Sequence, residues 1–270
     1  MEGRGSAAPQ SAAATAMRPY YAGKYPQDVA SPMAMEAMDN VPNEMGYYRC
    51  RYDGKWYAKL HVLGEGTFSD GSPMVPGDKR FFEVQPIEWY PFDVGEGRRV
   101  LISRHVLFVR PFDMNSNVWA DSYVRDQLQQ FALGCLDSKT KAHIVELPLD
   151  NDSVGQPVSQ DGRSWVLDAE NAPWSVQPVT WDGVFLLSRD EMQGLQCVSR
   201  PFAPTDYAMA MGAIRQPNGF GTGWLRTADS AADRAAVFGF DDPEGGVYSL
   251  NTGADITREL GVLPVVSLSV

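Results

Sequence analysis

The chain has 270 residues, a formal net charge of -11 and a pI near 4.7, with 44% hydrophobic and 11% aromatic residues. That much apolar material can bury roughly three-quarters of the unfolded surface, so folding needs no disulfide or metal staple. The acid excess and scattered Lys and Arg residues argue against a nucleic-acid partner, which requires a basic stripe, and no run approaches the roughly eighteen apolar residues of a membrane span.

Residues 1–19 are largely Ala, Ser and Gly, a composition that cannot repay its ordering entropy, and a disordered tail is expected there. One domain is expected over residues 20–270, β-rich over 20–112, with helices and closing strands over 113–270. From Pro19 to Asn43, Tyr20, Tyr21, Tyr25 and the mixed run Met33 to Met38 predict a docked arm with one short helix, and the fold proper is expected to begin near Tyr47. Strands are predicted at Lys55 to Leu63, Phe81 to Trp89 and Arg99 to Val109. The Asp53-Gly54 hairpin signal and the turn formers Ser69 to Ser72 and Val94 to Gly97 punctuate them.

Val124, Leu128 and Phe131 put one apolar face on a helix over Asp121 to Leu133, with Asp121 or Ser122 as its cap. Ser138 is expected to cap a short helix running to Ile144. Val184 to Leu187 reads as a short strand leading into Ser188-Arg189-Asp190-Glu191, a capping box that opens a helix to Leu195. Thr205 caps a fourth helix, Asp206 to Ile214. Strands follow at Trp224 to Arg226, Ala235 to Phe240, Gly246 to Leu250 and Leu263 to Leu268. Strands, then helices, then strands, without βαβ alternation, give an α+β class with a mostly antiparallel sheet and about four short helices inserted mid-chain.

Catalytic motifs are missing. There is no G-x-S-x-G elbow, P-loop or H-E-x-x-H, and Gly219-Phe220-Gly221-Thr222-Gly223 departs from a dinucleotide fingerprint because its third glycine comes early and precedes a strand. His61, His105 and His143 are dispersed, and a lone histidine is more often structural or exposed than a ligand. Three cysteines without a C-x-x-C read as buried thiols, Cys197 among them, although a nucleophilic role for it is the sharper alternative. The oxygen-rich loops Asp150-Asn151-Asp152 and Asp241-Asp242-Pro243-Glu244 are better read as solvated turns than as calcium sites, since neither completes an EF-hand pattern. No metal or cofactor is assigned.

Trp224 and Arg226 fall on one face of a strand, where they could stack on an anionic or sugar-like ligand. The favoured reading makes them scaffold, with Trp224 in the core and Arg226 paired to internal carboxylates or carbonyls. The segment Thr227 to Arg258 mixes small polar residues with aromatics, a recognition-loop palette as well as that of an ordinary meander. Candidate ligand contacts in it are Asp229, Ser230, Asp233, Arg234, Phe238, Phe240, Asp241, Tyr248 and Asn251, framed by Trp224, Arg226 and Pro264.

Six segments in order carry a resemblance: Tyr47-Tyr48 with Gly54 to Lys59, Phe82 to Trp89, Val100 to Ser103, Val184 to Ser188, Arg200 to Ala208 and Gly223-Trp224-Leu225-Arg226. Together they are similar to an uncharacterised domain family of gut bacteria and their phages, spanning roughly Tyr20 to Val270. That family resembles the C-type-lectin fold of the formylglycine-generating type, shared with the variable proteins of diversity-generating retroelements. The resemblance implies ligand-facing residues after the Trp-Leu-Arg strand and a closing Gly-Val-Arg-Pro-Ala-Leu block. Here that block is Gly261-Val262-Leu263-Pro264-Val265-Val266, so the role of the usual arginine does not carry over to Leu263. The reactive cysteine pair of the generating enzyme and the Glu-Pro-Asn or Trp-Asn-Asp triplets of calcium-dependent lectins are absent.

The expected function is therefore non-enzymatic recognition of a protein or glycan ligand. It would use the outer face of stiff terminal strands on a C-type-lectin-like scaffold, in a soluble protein that is cytoplasmic or carried on a phage particle. The alternatives are a structural component of a particle or adhesin, and an enzyme built on Glu88, Asp182 or Asp206 beside Arg200 or Arg226.

Overall fold

The structure is a computed structural model that describes residues 18–151, 177–195, 202–229, 231–239 and 250–270; the expected tail over residues 1–17 and Cys197 lie outside them. The first half supplies β1 (Tyr20–Val29), α1 (Pro32–Glu36), β2 (Tyr47–Arg49), β3 (Trp56–His61), β4 (Gly66–Thr67), β5 (Pro73–Met74), β6 (Lys79–Gly95), β7 (Arg98–Ser103) and β8 (Phe108–Arg110). A 3-10 turn at Trp119–Asp121 leads to α2 (Tyr123–Cys135), α3 (Ser138–Ala142), β9 (Leu147–Leu149), β10 (Thr180–Asp182), β11 (Val184–Phe185), α4 (Arg189–Gly194) and α5 (Asp206–Ala210). The chain closes through β12 (Gly223–Ala228), β13 (Arg234–Phe238), β14 (Leu250–Asp255), β15 (Leu260–Val262) and β16 (Val265–Ser269). The class is α+β with mostly antiparallel strands, and the four helices α2 to α5 fall mid-chain as expected.

The predicted arm is a full strand. β1 pairs antiparallel with β6, from Tyr20 opposite Trp89 to Val29 opposite Phe82, so the fold starts at Tyr20 rather than Tyr47. Its alternation is hidden by register shifts between Tyr21 and Lys24 and between Pro26 and Val29, where Gly23 and Pro26 interrupt the pattern. The short helix predicted in this arm is α1, capped by Ser31, whose hydroxyl accepts the Ala34 amide.

Helix ends follow local chemistry, with two corrections. Asp137, not Ser138, caps α3: its carboxylate accepts the Thr140 amide at 2.8 Å and the Thr140 hydroxyl at 2.9 Å. Thr205 caps α5 as predicted, but the helix stops at Ala210 instead of reaching Ile214. Gly212 sits at φ +102, its amide donates to the Met209 carbonyl, and the Ala213 amide reaches back to Ala208, a left-handed closure that ends the helix. The Ser188–Glu191 capping box forms in both directions, at 2.8 and 3.1 Å. In α2 the cap residue Ser122 turns its hydroxyl back to the Trp119 carbonyl. Asp113, far upstream, accepts the Tyr123 amide in its place at 2.9 Å.

Two sheets share one core. The first runs β11-β16-β7-β6-β3-β2 with β1 added on β6; the second runs β14-β13-β12-β15-β8, with β12 and β15 parallel and its other pairs antiparallel. Two chain segments pass from one sheet to the other side by side, β7 into β8 and β15 into β16. Pro264 occupies the second crossing, where a residue without an amide proton suits a strand leaving one ladder for another, and its carbonyl accepts the Ser103 amide at 2.9 Å. Leu263 is 2% exposed, an apolar residue in the core. Trp89, Trp119 and Trp224 are fully buried, and each indole N–H has an acceptor: the Ala22 carbonyl, Asp182 and the Arg110 carbonyl.

Candidate functional site

The terminal sheet was the expected recognition surface, and its strands prove to be interior. All six residues of β12 are buried, as are the last four of β13 and the first four of β16. The strands therefore offer no outer face; α4 packs on β12 and β13, and the 3-10 turn packs on β12. Gly221, just before β12, and Gly223, its first residue, serve the same close packing. A Cβ on Gly223 would lie 2.6 Å from the Gly261 carbonyl and 2.7 Å from the Phe238 ring.

Trp224 and Arg226 are both buried, but they do not share surroundings. A register irregularity between Trp224 and Ala228 breaks the simple alternation. Trp224 packs on Phe112 at 5.6 Å, while the Arg226 guanidinium lies 5.8 Å from the Phe185 ring. Arg226 is 2% exposed, and all five of its N–H donors are used. Nε donates to Asn151 Oδ1 at 3.1 Å, Nη1 to the Leu186 carbonyl and Glu191, and Nη2 to the Asp150 carbonyl and Glu191.

The network continues through Asn151, whose amide donates to the Pro178 carbonyl and to Thr180 Oγ1, and Thr180 donates on to Asp182 at 2.7 Å. Asp182 also accepts Trp119 Nε1 and pairs with Arg125. A buried polar chain thus runs from Glu191 on α4 through Arg226 to Arg125 on α2. The loop at Asp150-Asn151, considered for calcium, is part of this frame, and no metal-holding group of His, Cys, Asp and Glu occurs among the described residues.

Accessible polar residues gather where the strands turn. Ala232, Asp233 and Arg234 between β12 and β13 are exposed, and so are Asp255, Thr257, Arg258 and Glu259 between β14 and β15. Arg234 pairs with Asp255 across β13 and β14, which brings the two turns together. A third loop, Asp113 to Asn117, joins them: the Phe112 and Asp113 amides donate to the Ile256 carbonyl and the Asn117 amide to Ala232. Asn117 is 5% exposed, and its side-chain nitrogen faces the carbonyls of Asp229, Ala231 and Arg234 at 2.8–3.0 Å. Met114 and Asn115 project from that loop. The result is a polar rim on a rigid base.

Of the candidate contacts, the rim collects Asp233 and Arg234, with Asp229 half-buried at its margin. Phe238 is corrected to core: it is 3% exposed, packs on Phe202 at 6.3 Å and covers Gly223. Ser230, Phe240, Asp241 and Tyr248 lie outside the described residues, as does the side chain of Asn251, whose backbone pairs with Val237 in β14. Of the strand expected at Gly246 to Leu250, residues 246–249 lie outside the described residues, and β14 is described from Leu250. The chain leaves β13 and enters β14 at the end where Phe238 faces Leu250, about 13 Å along the strand from the Arg234–Asp255 end. Asn117 escaped the sequence reading; its one signal was a run of turn formers, Asp113-Met114-Asn115-Ser116-Asn117, ahead of a helix.

The acids considered for catalysis are engaged elsewhere. Asp206 is 3% exposed and accepts the Val29 amide, the Ser69 amide and the Ser69 hydroxyl. Asp182 belongs to the network above, and Glu88 pairs with Arg104. Arg200 lies outside the described residues. Burial pushes the Cys135 thiol up to about 12, so it is no thiolate nucleophile at neutral pH.

His105 is held below its ordinary range, chiefly by burial, although its ring nitrogen faces the Ala203 carbonyl at 3.2 Å. A histidine with a depressed folded pKa leaves the unfolded chain to bind the extra proton first. Stability is therefore full above about pH 6.5 and falls as pH drops below it. Urea midpoints measured from pH 7.5 to 5.5 are expected to decline, and more shallowly in His105→Gln; identical slopes would show that another group sets the dependence.

Comparison of the chain with protein-family models, with curated proteins and with solved structures finds no match.

Proposed function

We propose that the protein is a non-enzymatic recognition module whose ligand-contacting surface is the rim formed by residues 113–117, 231–234 and 255–259. The observation that carries this reading is the contrast between base and surface. Asn117 and the Ile256 carbonyl fix the three loops from below, while Asp233, Arg234, Thr257, Arg258 and Glu259 stand exposed above. A held backbone lowers the ordering cost of binding, and exposed side chains there change without touching the core. The engagement of Asp182, Asp206 and Glu88 in structural bonds supports a binding role over catalysis.

A C-type-lectin-like frame is part of the proposal. It is supported by the antiparallel run β12-β13-β14 that carries Gly-Trp-Leu-Arg and by a final strand, β16, that returns to pair with the early strand β7. On this frame, sequence diversification of the retroelement type would be confined to the turns, because substitutions in the buried strands would break packing. A reverse-transcriptase gene near a partial copy of the 3′ coding sequence, differing at adenines, would support that part.

Protein and glycan arrays probed with the full chain test the reading. Asp233→Ala, Arg234→Ala and Glu259→Ala together are expected to abolish the detected interaction with a stability change within about 0.5 kcal/mol. Asn117→Ala is expected to weaken the same interaction and to cost about 2 kcal/mol, since three carbonyls lose their shared donor. If the triple variant leaves every detected interaction intact, the rim is not the site.

A further inference from the structure

The hairpin of β9 and β10 is a separate two-stranded sheet, with Thr180 opposite Leu149, Trp181 opposite Pro148 and Asp182 opposite Leu147. Successive side chains alternate between its faces. On the inner face Leu149, Thr180 and Asp182 are 4%, 7% and 2% exposed. On the outer face Trp181 is 60% and Val179 61% exposed, and Pro148 and Glu146 are exposed with them. A tryptophan this accessible is unusual, because its large apolar body is normally covered.

The backbone beneath that face is held. Thr180 takes a bond from Asn151 and donates to Asp182, and Asp182 also accepts from Trp119 and Arg125. Trp181 therefore sits between two residues fixed in the buried network, and a ligand on its ring would not have to order the strand.

Three recognition groups on this face are left unengaged by the fold. The Trp181 ring has no aromatic or cationic partner among the described residues, its indole N–H has no acceptor among them, and the Glu146 carboxylate has neither a hydrogen bond nor an ion pair with them. The indoles of Trp89, Trp119 and Trp224, by contrast, are all bonded. Glu146 lies two residues before Pro148, the residue opposite Trp181, so the register puts it diagonal to the ring on the same face, with Cβ atoms about 7–8 Å apart. A ligand spanning the two meets a flat π face, one donor and one charged acceptor.

That combination selects among ligands. An aliphatic side chain would use only the ring. An organic cation would use the ring and Glu146 but offers no acceptor to the indole N–H. A pyranose uses all three: C–H groups on one side of the sugar pack on the indole, a hydroxyl oxygen accepts the indole N–H, and a hydroxyl hydrogen is donated to Glu146. Pro148 and Val179 continue the apolar strip beside Trp181, which suits a short chain of such units. We infer that the outer face of the β9–β10 hairpin binds a neutral saccharide with an apolar ring face, held by Trp181 and Glu146. The site lies on different elements from the rim and stands whether or not the rim binds a partner.

Proton–nitrogen correlation spectra of the full chain, titrated with cellotetraose, test it; the probe is a β-linked glucose tetramer whose equatorial hydroxyls leave apolar ring faces. The Trp181 indole signal, assigned by its loss in Trp181→Phe, is expected to shift saturably at millimolar sugar, while that of Trp56, itself 40% exposed, stays in place. By calorimetry Trp181→Ala is expected to weaken binding about tenfold or more, and Glu146→Gln about threefold, the effect of exchanging a charged acceptor for a neutral one. Both side chains are exposed, so urea midpoints should match that of the unsubstituted chain. Absence of a Trp181 shift, an equal shift at Trp56, or unchanged binding by Trp181→Ala overturns the site. Sorbitol, which has the hydroxyls without the ring, and tetramethylammonium are expected not to bind; either one binding as tightly as the tetramer overturns the ligand class.

Discussion

Replacing Arg226 with alanine is expected to cost about 3–5 kcal/mol, because it leaves several acceptors unsatisfied at once, at about 1–3 kcal/mol for each that is buried. The substitution strips a donor from the Leu186 and Asp150 carbonyls and from Asn151 at once, and Asn151 also ties Pro178 and Thr180. Glu191→Gln should cost about 1–3 kcal/mol, since it leaves the guanidinium, 3% exposed by side chain, without its counter-charge while the amide oxygen keeps one acceptor. Urea unfolding followed by fluorescence measures both. A loss below about 1 kcal/mol for Arg226→Ala would mean that the network from α4 to α2 is incidental to stability. Arg226→Lys is expected to recover little, since one ammonium cannot span five acceptor directions.

Asp206→Ala is expected to be nearly as damaging, about 3 kcal/mol, for a different reason. Its carboxylate joins three segments distant in sequence: the end of β1 through the Val29 amide, the turn after β4 through both donors of Ser69, and the start of α5. Asp206→Asn should restore about half, because the amide keeps one acceptor and turns a donor toward groups that also donate. Hydrogen exchange at the Val29 and Ser69 amides should accelerate in both variants. This pair of substitutions also separates the structural role from a catalytic one. If Asp206→Asn were to abolish a newly found activity while leaving exchange and unfolding unchanged, the residue would belong to an active site.

The sequence reading succeeded where the signal was local. The capping box at Ser188 and Glu191, Thr205 as a cap, the Val124-Leu128-Phe131 face and the Asp53-Gly54 hairpin depend on neighbours within four positions. It failed at β1, where Gly23 and Pro26 mask a strand whose pairing is set by β6, some sixty residues away. It failed again at Phe238, whose aromatic ring resembles a loop anchor in composition and fills the space over Gly223 in the fold.

The sequence alone determined the α+β class and most element positions, since periodicity, caps and turn chemistry act over short range. Only the tertiary structure decided which residues face solvent. Antiparallel pairing places Arg234 opposite Asp255 at one end of β13 and β14, and the Asp113–Asn117 loop bonds to the chain at that end. It also brought the loop 113–117, residues 231–234 and residues 255–259 together from three separate turns. No window of the chain contains that grouping, because it arises from strand register and helix packing rather than from spacing along the backbone.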